Sequence, residues 1–146
     1  GIHDVAVRFS KCCSPVPGDE IVGFVTRGRG ISIHRTDCVN IMHMPELERV
    51  RLIDAEWQKS PEEVTGEKYF SEIKIYANNR SGLLADVSKA LTEKNIDILS
   101  MNTRVSKQGL ATMSTSFEVR SREELNRIIE KILTIDSVVD IERTTG

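Results

Sequence analysis

Three cysteines and His34, all within the first 38 residues, are the side chains of this sequence best suited to binding a metal ion. Cys12 and Cys13 are adjacent in "KCCSPVPGDE", and His34 precedes Cys38 in "HRTDC". Zinc sites in proteins use four such thiolate and imidazole ligands. Adjacent cysteines rarely bridge each other because the ring is strained, so the pair is expected to serve a third partner. The spacing is not that of paired CxxC motifs, and buried free thiols beside a surface histidine are the alternative.

The segment "TRGRG" and the residues after it could contact the phosphates of a nucleic acid. Arg27, Arg29 and Arg35 lie in a stretch, residues 21–36, that has no acidic side chain. Backbone amides beside the glycines would add hydrogen-bond donors. The segment lacks the glycine-lysine-serine ending of a Walker loop. A glycine-rich hairpin turn with solvated arginines is the alternative.

A second candidate binding segment is "NNRSGLLADV", residues 78–87. It follows a predicted strand and begins a predicted helix, where backbone amides attract a carboxylate group. Gly82 would let a ligand or a neighbouring chain approach the backbone. A tight turn between strand and helix, which needs no ligand, is the alternative.

The composition is that of a globular protein, with 39% hydrophobic residues among 146. A net charge of -2 argues against coating nucleic acid by bulk electrostatic attraction. Three cysteines are too few for a disulfide framework and favour a reducing compartment. No apolar run approaches the ~18 residues that cross a bilayer, and no signal-peptide pattern opens the sequence. We therefore expect a cytoplasmic protein with no membrane partner.

The sequence predicts two modules joined by a linker, "QKSPEEVTGEK", at residues 58–68. A small cysteine-containing module, residues 1–57, precedes it, and a second module, residues 69–146, follows it. In the first module we expect strands over 5–9, 21–26, 31–34 and 50–57 and a helical turn over 39–44. Such a module has little core, so a metal ion would help it to fold.

The second module alternates strands and helices. Ile73, Ile75 and Ala77 lie on one face of a strand, and apolar residues at spacings of three and four predict a helix over 82–94. A hairpin over 99–119, a second helix opened by a capping box at Ser121, and a strand over 138–142 follow. This βαββαβ order predicts a ferredoxin-like fold, so the whole chain is expected to be α+β, with a small β-rich module first.

One face of the predicted four-stranded sheet would stay uncovered by helices. Depending on the register of the strands, its candidate residues include Tyr76, Ile98, Met113 and Phe117. An open apolar sheet face usually packs against a second copy, another domain or a ligand.

The segment "KCCSPVPGDEIVGFVTRGRGISIHRTDC", residues 11–38, resembles a cysteine-containing module of the long Rel/SpoT-type stringent-response proteins, the bacterial (p)ppGpp synthetases and hydrolases. The second half resembles the ACT domain that ends those proteins, with "RSGLLADVSKAL", residues 80–91, at the family's glycine-leucine turn and first helix. Together the two resemblances cover nearly the whole chain. They imply the regulatory tail of a GTP pyrophosphokinase, without the N-terminal hydrolase and synthetase domains and without a catalytic site of its own.

The resemblance also implies roles for individual residues of the first module. In the family this module is a zinc-finger or ribosome-intersubunit domain that contacts ribosomal RNA. Its ligand positions correspond to Cys12, Cys13, His34 and Cys38, although not every member needs to hold zinc. The residues expected to contact RNA are Arg27, Arg29, Arg35 and Asp37.

ACT domains of this kind pair with each other and can bind amino acids at the interface, branched-chain amino acids in Rel-type proteins. The resemblance therefore implies a homodimer and an amino-acid site. In the loop, the expected ligand-binding residues are Asn79, Arg80, Gly82, Leu83 and Leu84. Facing them from the second strand, we expect Asn95, Ile96, Asp97 and Ile98. Many relatives have an aspartate where Asn79 stands, and the amide would weaken affinity for a zwitterion.

These features lead to one main hypothesis and two alternatives. The main hypothesis is a regulatory region that couples ribosome binding, amino-acid sensing or self-association to (p)ppGpp synthesis and hydrolysis. An amino-acid-sensing ACT module of a biosynthetic enzyme is the first alternative, but it leaves the cysteine module without a purpose. A structural dimerisation unit with neither metal nor ligand is the second.

Overall fold

The computed structural model describes residues 6–58 and 67–144, so most of the predicted linker lies outside the described part. The first module contains β1 (Val7–Phe9), β2 (Ile21–Val25), β3 (Ile31–Arg35), α1 (Val39–Met42), a 3₁₀ helix (Glu46–Arg51) and β4 (Leu52–Asp54). The second module contains β5 (Tyr69–Asn78), α2 (Leu83–Glu93), β6 (Ile98–Val105), β7 (Leu110–Val119), α3 (Arg122–Leu133) and β8 (Val138–Arg143).

The first module is built on a four-stranded sheet with the strand order β1-β3-β2-β4. Strand β1 is parallel to β3, whereas β2 is antiparallel to both β3 and β4. The turn between β2 and β3 requires glycine at position 30, where φ is +81° and an added Cβ would lie 2.1 Å from the Ala6 carbonyl oxygen. This close approach lets the Ile31 N–H donate to Ala6 at 2.8 Å, which starts the pairing of β1 with β3.

One strand of the first module is shorter than the sequence predicts. We expected a strand over 50–57, but β4 covers only Leu52–Asp54, because the 3₁₀ helix occupies Glu46–Arg51. Pro45 is the N-cap of that helix, and its ring fixes φ at a value that suits a helix start. Val50, the expected first residue of the strand, is 83% exposed on the helix.

The second module has the predicted βαββαβ order and an antiparallel sheet with the strand order β6-β7-β5-β8. Helices α2 and α3 pack against one face of this sheet. The serine half of the predicted capping box is present, since the Ser121 hydroxyl accepts the Glu124 N–H at 3.1 Å, whereas the Glu124 carboxylate accepts the N–H of Arg120 rather than that of Ser121. The α+β class is therefore confirmed. Within residues 6–58 and 67–144, no helix has the length and apolar character that would let it cross a bilayer.

The open face of the second sheet differs from the prediction. Met113 and Phe117 are fully buried beneath the helices, because the pairing of β7 with β5 sets Met113 beside Ile75 on the covered face. Ile98 also packs against this core. Tyr76 does lie on the open face, where its hydroxyl donates to Glu142 at 2.6 Å. The open face is therefore largely polar, and the prediction of an apolar face was wrong.

The two modules are in contact near the end of β8. Val16, in the loop between β1 and β2, is fully buried in the core of the second module. Asp19 accepts two hydrogen bonds from the Arg143 guanidinium, at 2.7 and 2.9 Å. The Arg122 N–H, at the start of α3, donates to the Pro17 carbonyl at 2.7 Å. The core of the second module therefore extends into the first, which sequence analysis did not anticipate.

A cluster of three aromatic side chains forms a second contact between the modules. Phe9 of β1 stacks on Trp57 with 5.4 Å between ring centroids, and both rings meet Tyr69 of β5 edge-on. The Trp57 indole N–H donates to the Asp19 carbonyl at 3.0 Å. The first module therefore reaches the second through the start of β5 as well as through β8.

Candidate metal centre

The cysteine pair and the "HRTDC" segment meet at one point in the first module. Cys12 and Cys13 lie in the turn after β1, His34 lies on β3, and Cys38 is the N-cap of α1. The parallel pairing of β1 with β3 brings these segments together, because it sets the end of β1 beside the middle of β3. All four predicted ligands are therefore neighbours.

The distances between the four side chains fit a single metal ion. Their three Sγ atoms and one imidazole nitrogen lie within 4.8 Å of one another. Cys12 Sγ is 3.4 Å from Cys38 Sγ and 3.4 Å from His34 Nδ1, and Cys13 Sγ is 4.0 Å from His34 Nδ1. In tetrahedral zinc sites with bonds of about 2.3 Å to sulfur, two sulfur ligands are about 3.8 Å apart. The cluster could therefore bind a metal.

The surroundings of His34 prepare its imidazole for coordination. Ser32 Oγ lies 3.0 Å from Nε2, which orients the ring so that Nδ1 faces the sulfurs. Burial, together with the nearby charge of Arg8, lowers the pKa of His34. The imidazole is therefore neutral at neutral pH, which is the form that binds a metal.

The three thiols of the cluster differ in acidity. Burial acts to raise the pKa of Cys12, but hydrogen bonds, above all with Ser10 and Asn40, outweigh it and lower that pKa. The Ser10 hydroxyl is 2.8 Å from Cys12 Sγ. Burial raises the pKa of both Cys13 and Cys38. A bound cation would favour the thiolate of each, because a coordinating thiol is deprotonated.

The predicted RNA contacts fall into two groups. Arg27 and Arg29 are exposed in the turn between β2 and β3. Arg35, at the other end of β3, is only 5% exposed. Its guanidinium donates to both carboxylate oxygens of the exposed Asp37, at 2.8 and 2.6 Å, and to the Cys13 carbonyl at 3.2 Å. Arg35 therefore supports the cysteine turn, and its burial counts against a role in RNA contact.

The predicted ligand loop connects β5 to α2 and is held together by the Arg80 side chain. This guanidinium donates to the Asp86 carboxylate at 2.7 Å, to the Asp136 carbonyl at 3.0 Å and to the Ser137 hydroxyl at 3.2 Å. Gly82 is the N-cap of α2 with a φ of +83°, which glycine adopts without strain. The loop is therefore an ordered strand-to-helix turn in which Arg80 is already paired.

The two halves of the predicted amino-acid site lie at opposite ends of α2. This helix has 11 residues and is therefore about 16 Å long. Ile98 pairs with Phe117, which pairs with Ser71 near the start of β5, whereas Asn79 follows the end of that strand. The loop half comprises Asn79, Arg80, Gly82, Leu83 and Leu84, and the other half comprises Asn95, Ile96, Asp97 and Ile98. The two halves therefore do not face each other within one chain, and a site that contains both stays a prediction for the interface between chains.

Two supporting features of the first module were missed at the level of sequence. Ser32 could have been found, because it lies two residues before His34 on a strand and so shares its side. The contact of Asp19 with Arg143 spans 124 residues, and no local pattern signals it.

Comparison with known sequences identifies both modules. Residues 1–58 match the family model of the RelA/SpoT RIS domain, and residues 65–143 match that of the ACT domain. The ACT match covers more than half of the chain. This chain belongs to the ACT-domain family. Its first module is a RIS domain of the RelA/SpoT type.

The RIS and ACT modules are found together in longer relatives. The chain is 37% identical over its whole length to a GTP pyrophosphokinase of Streptomyces coelicolor. It is 36% identical over its whole length to the bifunctional (p)ppGpp synthase/hydrolase RelA of Mycobacterium tuberculosis. It spans only 17% and 19% of the lengths of these two relatives. The solved ACT domain from GTP pyrophosphokinase of Chlorobium tepidum matches over 53% of this chain and 99% of its own, with 17% identity and a TM-score of 0.47.

Proposed function

We propose that the chain is the regulatory region of a cytoplasmic stringent-response GTP pyrophosphokinase. It couples ribosome binding, amino-acid sensing and self-association to (p)ppGpp synthesis and hydrolysis by catalytic domains elsewhere in a longer chain. The observation that carries this proposal is the match of the whole chain to GTP pyrophosphokinases of which it spans only 17% and 19%. The RIS match over residues 1–58 favours this reading over an ACT module of a biosynthetic enzyme.

The metal of the RIS module is proposed to be zinc, held by Cys12, Cys13, His34 and Cys38. Three thiolates and one imidazole complete a tetrahedral shell and leave no position for a reacting water, which is typical of structural zinc. The ion would therefore supply stability to the module rather than a chemical step. The arrangement of four ligand atoms within 4.8 Å supports this proposal.

The surface proposed to bind ribosomal RNA is the turn that carries Arg27 and Arg29. Both side chains are exposed, and the turn extends from the sheet that also positions the metal centre. Guanidinium groups bind phosphates through paired hydrogen bonds, and such contacts weaken as salt concentration rises. A local pair of arginines is compatible with the net charge of -2.

Sedimentation with ribosomes tests the RNA surface. The double variant Arg27→Glu and Arg29→Glu is compared with Arg104→Glu and Lys107→Glu, which makes the same charge change on exposed residues of the ACT hairpin. We expect the first variant to lose most ribosome binding and the control to keep it. Equal binding by both variants would remove the turn from the mechanism.

The amino-acid site of the ACT module is proposed to form between two chains. Because α2 separates the two halves, a site that contains both needs the Asn95 end of one chain to meet the loop of its partner. Leu84, in the first turn of α2 next to that loop, is 55% exposed and offers apolar surface to a branched side chain. Arg80 would have to leave Asp86 before it could bind a ligand carboxylate.

Two measurements test the proposed site between chains. Calorimetry with valine, leucine and isoleucine measures amino-acid binding, and the molecular mass in solution gives the oligomeric state. Binding heat that appears only in the dimeric fraction supports a site between chains. A dimer that gives no heat with any of the three leaves dimerisation as the role of the ACT module.

A further inference from the structure

The Cys12 and Cys38 side chains are placed to bond to each other as well as to share a metal. Their sulfurs are 3.4 Å apart. A disulfide bond is about 2.05 Å long, so an approach of about 1.4 Å closes it. We propose that Cys12 and Cys38 form a reversible disulfide when a peroxide oxidises the RIS module. Loss of the metal on oxidation rests on the proposed zinc site, whereas the disulfide itself does not.

The exposure of the two thiols assigns them different roles. Cys12 is partly exposed, whereas Cys38 is fully buried behind it. A peroxide from solvent therefore meets the Cys12 sulfur first. Cys38 lies within reach of the oxidised sulfur and out of reach of the oxidant, which makes it the resolving thiol.

The third cysteine is held apart from this reaction. Cys13 is 1% exposed, and its Sγ accepts the Arg35 backbone N–H at 3.3 Å. The Arg35 guanidinium also holds the Cys13 carbonyl. A bond from Cys13 to the adjacent Cys12 would strain the peptide between them. The predicted connectivity is therefore Cys12 to Cys38.

The chemistry balances with hydrogen peroxide as the oxidant. The Cys12 sulfur attacks one peroxide oxygen, so that an S–O bond forms, the O–O bond breaks, and the departing oxygen leaves as water. The Cys38 sulfur then attacks the Cys12 sulfenic acid, so that the S–S bond forms and the S–O bond breaks, releasing a second water. The two thiols supply the two electrons and the two protons. A dithiol reductant reverses the bond by thiol exchange.

Oxidation would change the metal centre directly. A disulfide occupies two of the four proposed ligands and leaves only Cys13 and His34. Structural zinc sites use four ligands, so the ion would leave. The RIS module would then lose its metal in the presence of peroxide and recover it after reduction.

Peptide mapping of the peroxide-treated chain tests the proposal. The chain as purified is treated with hydrogen peroxide and digested with trypsin, which cuts between the two cysteines. We expect the Cys12 and Cys38 peptides to be joined, with the loss of two hydrogen atoms, and dithiothreitol to separate them. Peptides that carry only irreversible sulfur oxides, or only links between chains, would overturn the proposal.

Two variants provide a matched comparison. Cys13→Ser and Cys38→Ser each remove one proposed metal ligand, but only Cys13→Ser keeps both reacting sulfurs. We expect Cys13→Ser to keep the link, whereas Cys38→Ser loses it and accumulates a Cys12 sulfenic acid that dimedone traps. The same yield of a link within the chain in both variants would contradict the assigned pair. Trypsin leaves Cys12 and Cys13 in one peptide, residues 12–27, so if either variant does not fold, fragmentation of the joined peptides of the unaltered chain decides which of the two carries the link.

A zinc-binding dye separates the two proposals. Zinc released from the loaded chain during peroxide treatment is measured in parallel with the disulfide. If the chain never holds zinc but forms the Cys12–Cys38 link, the metal proposal is wrong and the disulfide proposal stands. A chain that holds zinc but forms no link under peroxide contradicts the disulfide proposal alone.

Discussion

The RIS and ACT modules differ sharply in what holds each of them together. The buried cluster of the ACT module joins β5, β7, α2 and α3 through large apolar side chains such as Phe117 and Leu125. The buried cluster of the RIS module consists of Cys13, Cys38 and Ile41, two of which are proposed metal ligands. Hydrophobic burial can support the ACT module, whereas we expect the RIS module to depend on the proposed zinc ion. Removal of the ion should therefore affect one module far more than the other.

The largest expected effect is that of a lost metal ligand. His34→Ala is compared with His43→Ala, which changes an exposed histidine of the same module. Structural zinc contributes about 10 kcal/mol or more in small domains, so we expect His34→Ala to lose zinc and unfold the RIS module. Hydrogen exchange should show unprotected amides in β2 and β3 and protected ones in β5. Equal protection in the two variants would contradict metal-dependent folding.

A large core substitution in the ACT module should have the reverse pattern. Phe117 is fully buried, and Phe117→Ala should lower the free energy of unfolding by about 3–5 kcal/mol. Phe70, on the same sheet, is 45% exposed and provides the control Phe70→Ala. Denaturant unfolding followed by circular dichroism measures both. Zinc content should stay the same in the two variants. Loss of zinc in Phe117→Ala would contradict the view that the two modules are stabilised separately.

Removing the contact between Asp19 and Arg143 tests how strongly the stabilities of the two modules are coupled. Asp19 is 4% exposed, so Arg143→Met would leave a buried carboxylate without its main partner. We expect a loss of about 3 kcal/mol, seen by probes in both modules. Arg104→Met, on the exposed surface of β6, is the control. If Arg143→Met has no more effect than the control, the modules are independent.

The smallest expected effect comes from a helix cap within the ACT module. The Ser121 hydroxyl accepts the Glu124 N–H, and Ser121→Ala should cost about 1 kcal/mol. Thermal unfolding should show a lower midpoint for the ACT module and unchanged zinc content. A larger loss than that of Phe117→Ala would show that the cap does more than start α3.

The sequence predicted most of the ACT fold because its signals are local. The helical stripe of α2, the capping box of α3 and the alternation of Ile73, Ile75 and Ala77 each depend on neighbouring residues. Local sequence signals could not predict the face of the sheet on which Met113 lies, because that face depends on the pairing of β7 with β5. That pairing joins residues far apart in the sequence, and the prediction failed there.

The candidate site shows the same limit. Residue types alone singled out the four side chains that the structure places within 4.8 Å of one another, because the chain has only three cysteines. The burial of Arg35 was missed, since the Cys13 carbonyl that it holds is 22 positions earlier in the sequence. The separation of Asn79 from Asn95 could have been foreseen, because a helix of the predicted length stands between them.

X-ray absorption at the zinc edge of the purified chain tests the central claim most directly, since it reports both the presence of the ion and its ligands. The account predicts one zinc per chain with three sulfur atoms at about 2.3 Å and one nitrogen at about 2.0 Å. An absence of zinc after purification and zinc addition, or a shell made only of oxygen and nitrogen, would contradict it.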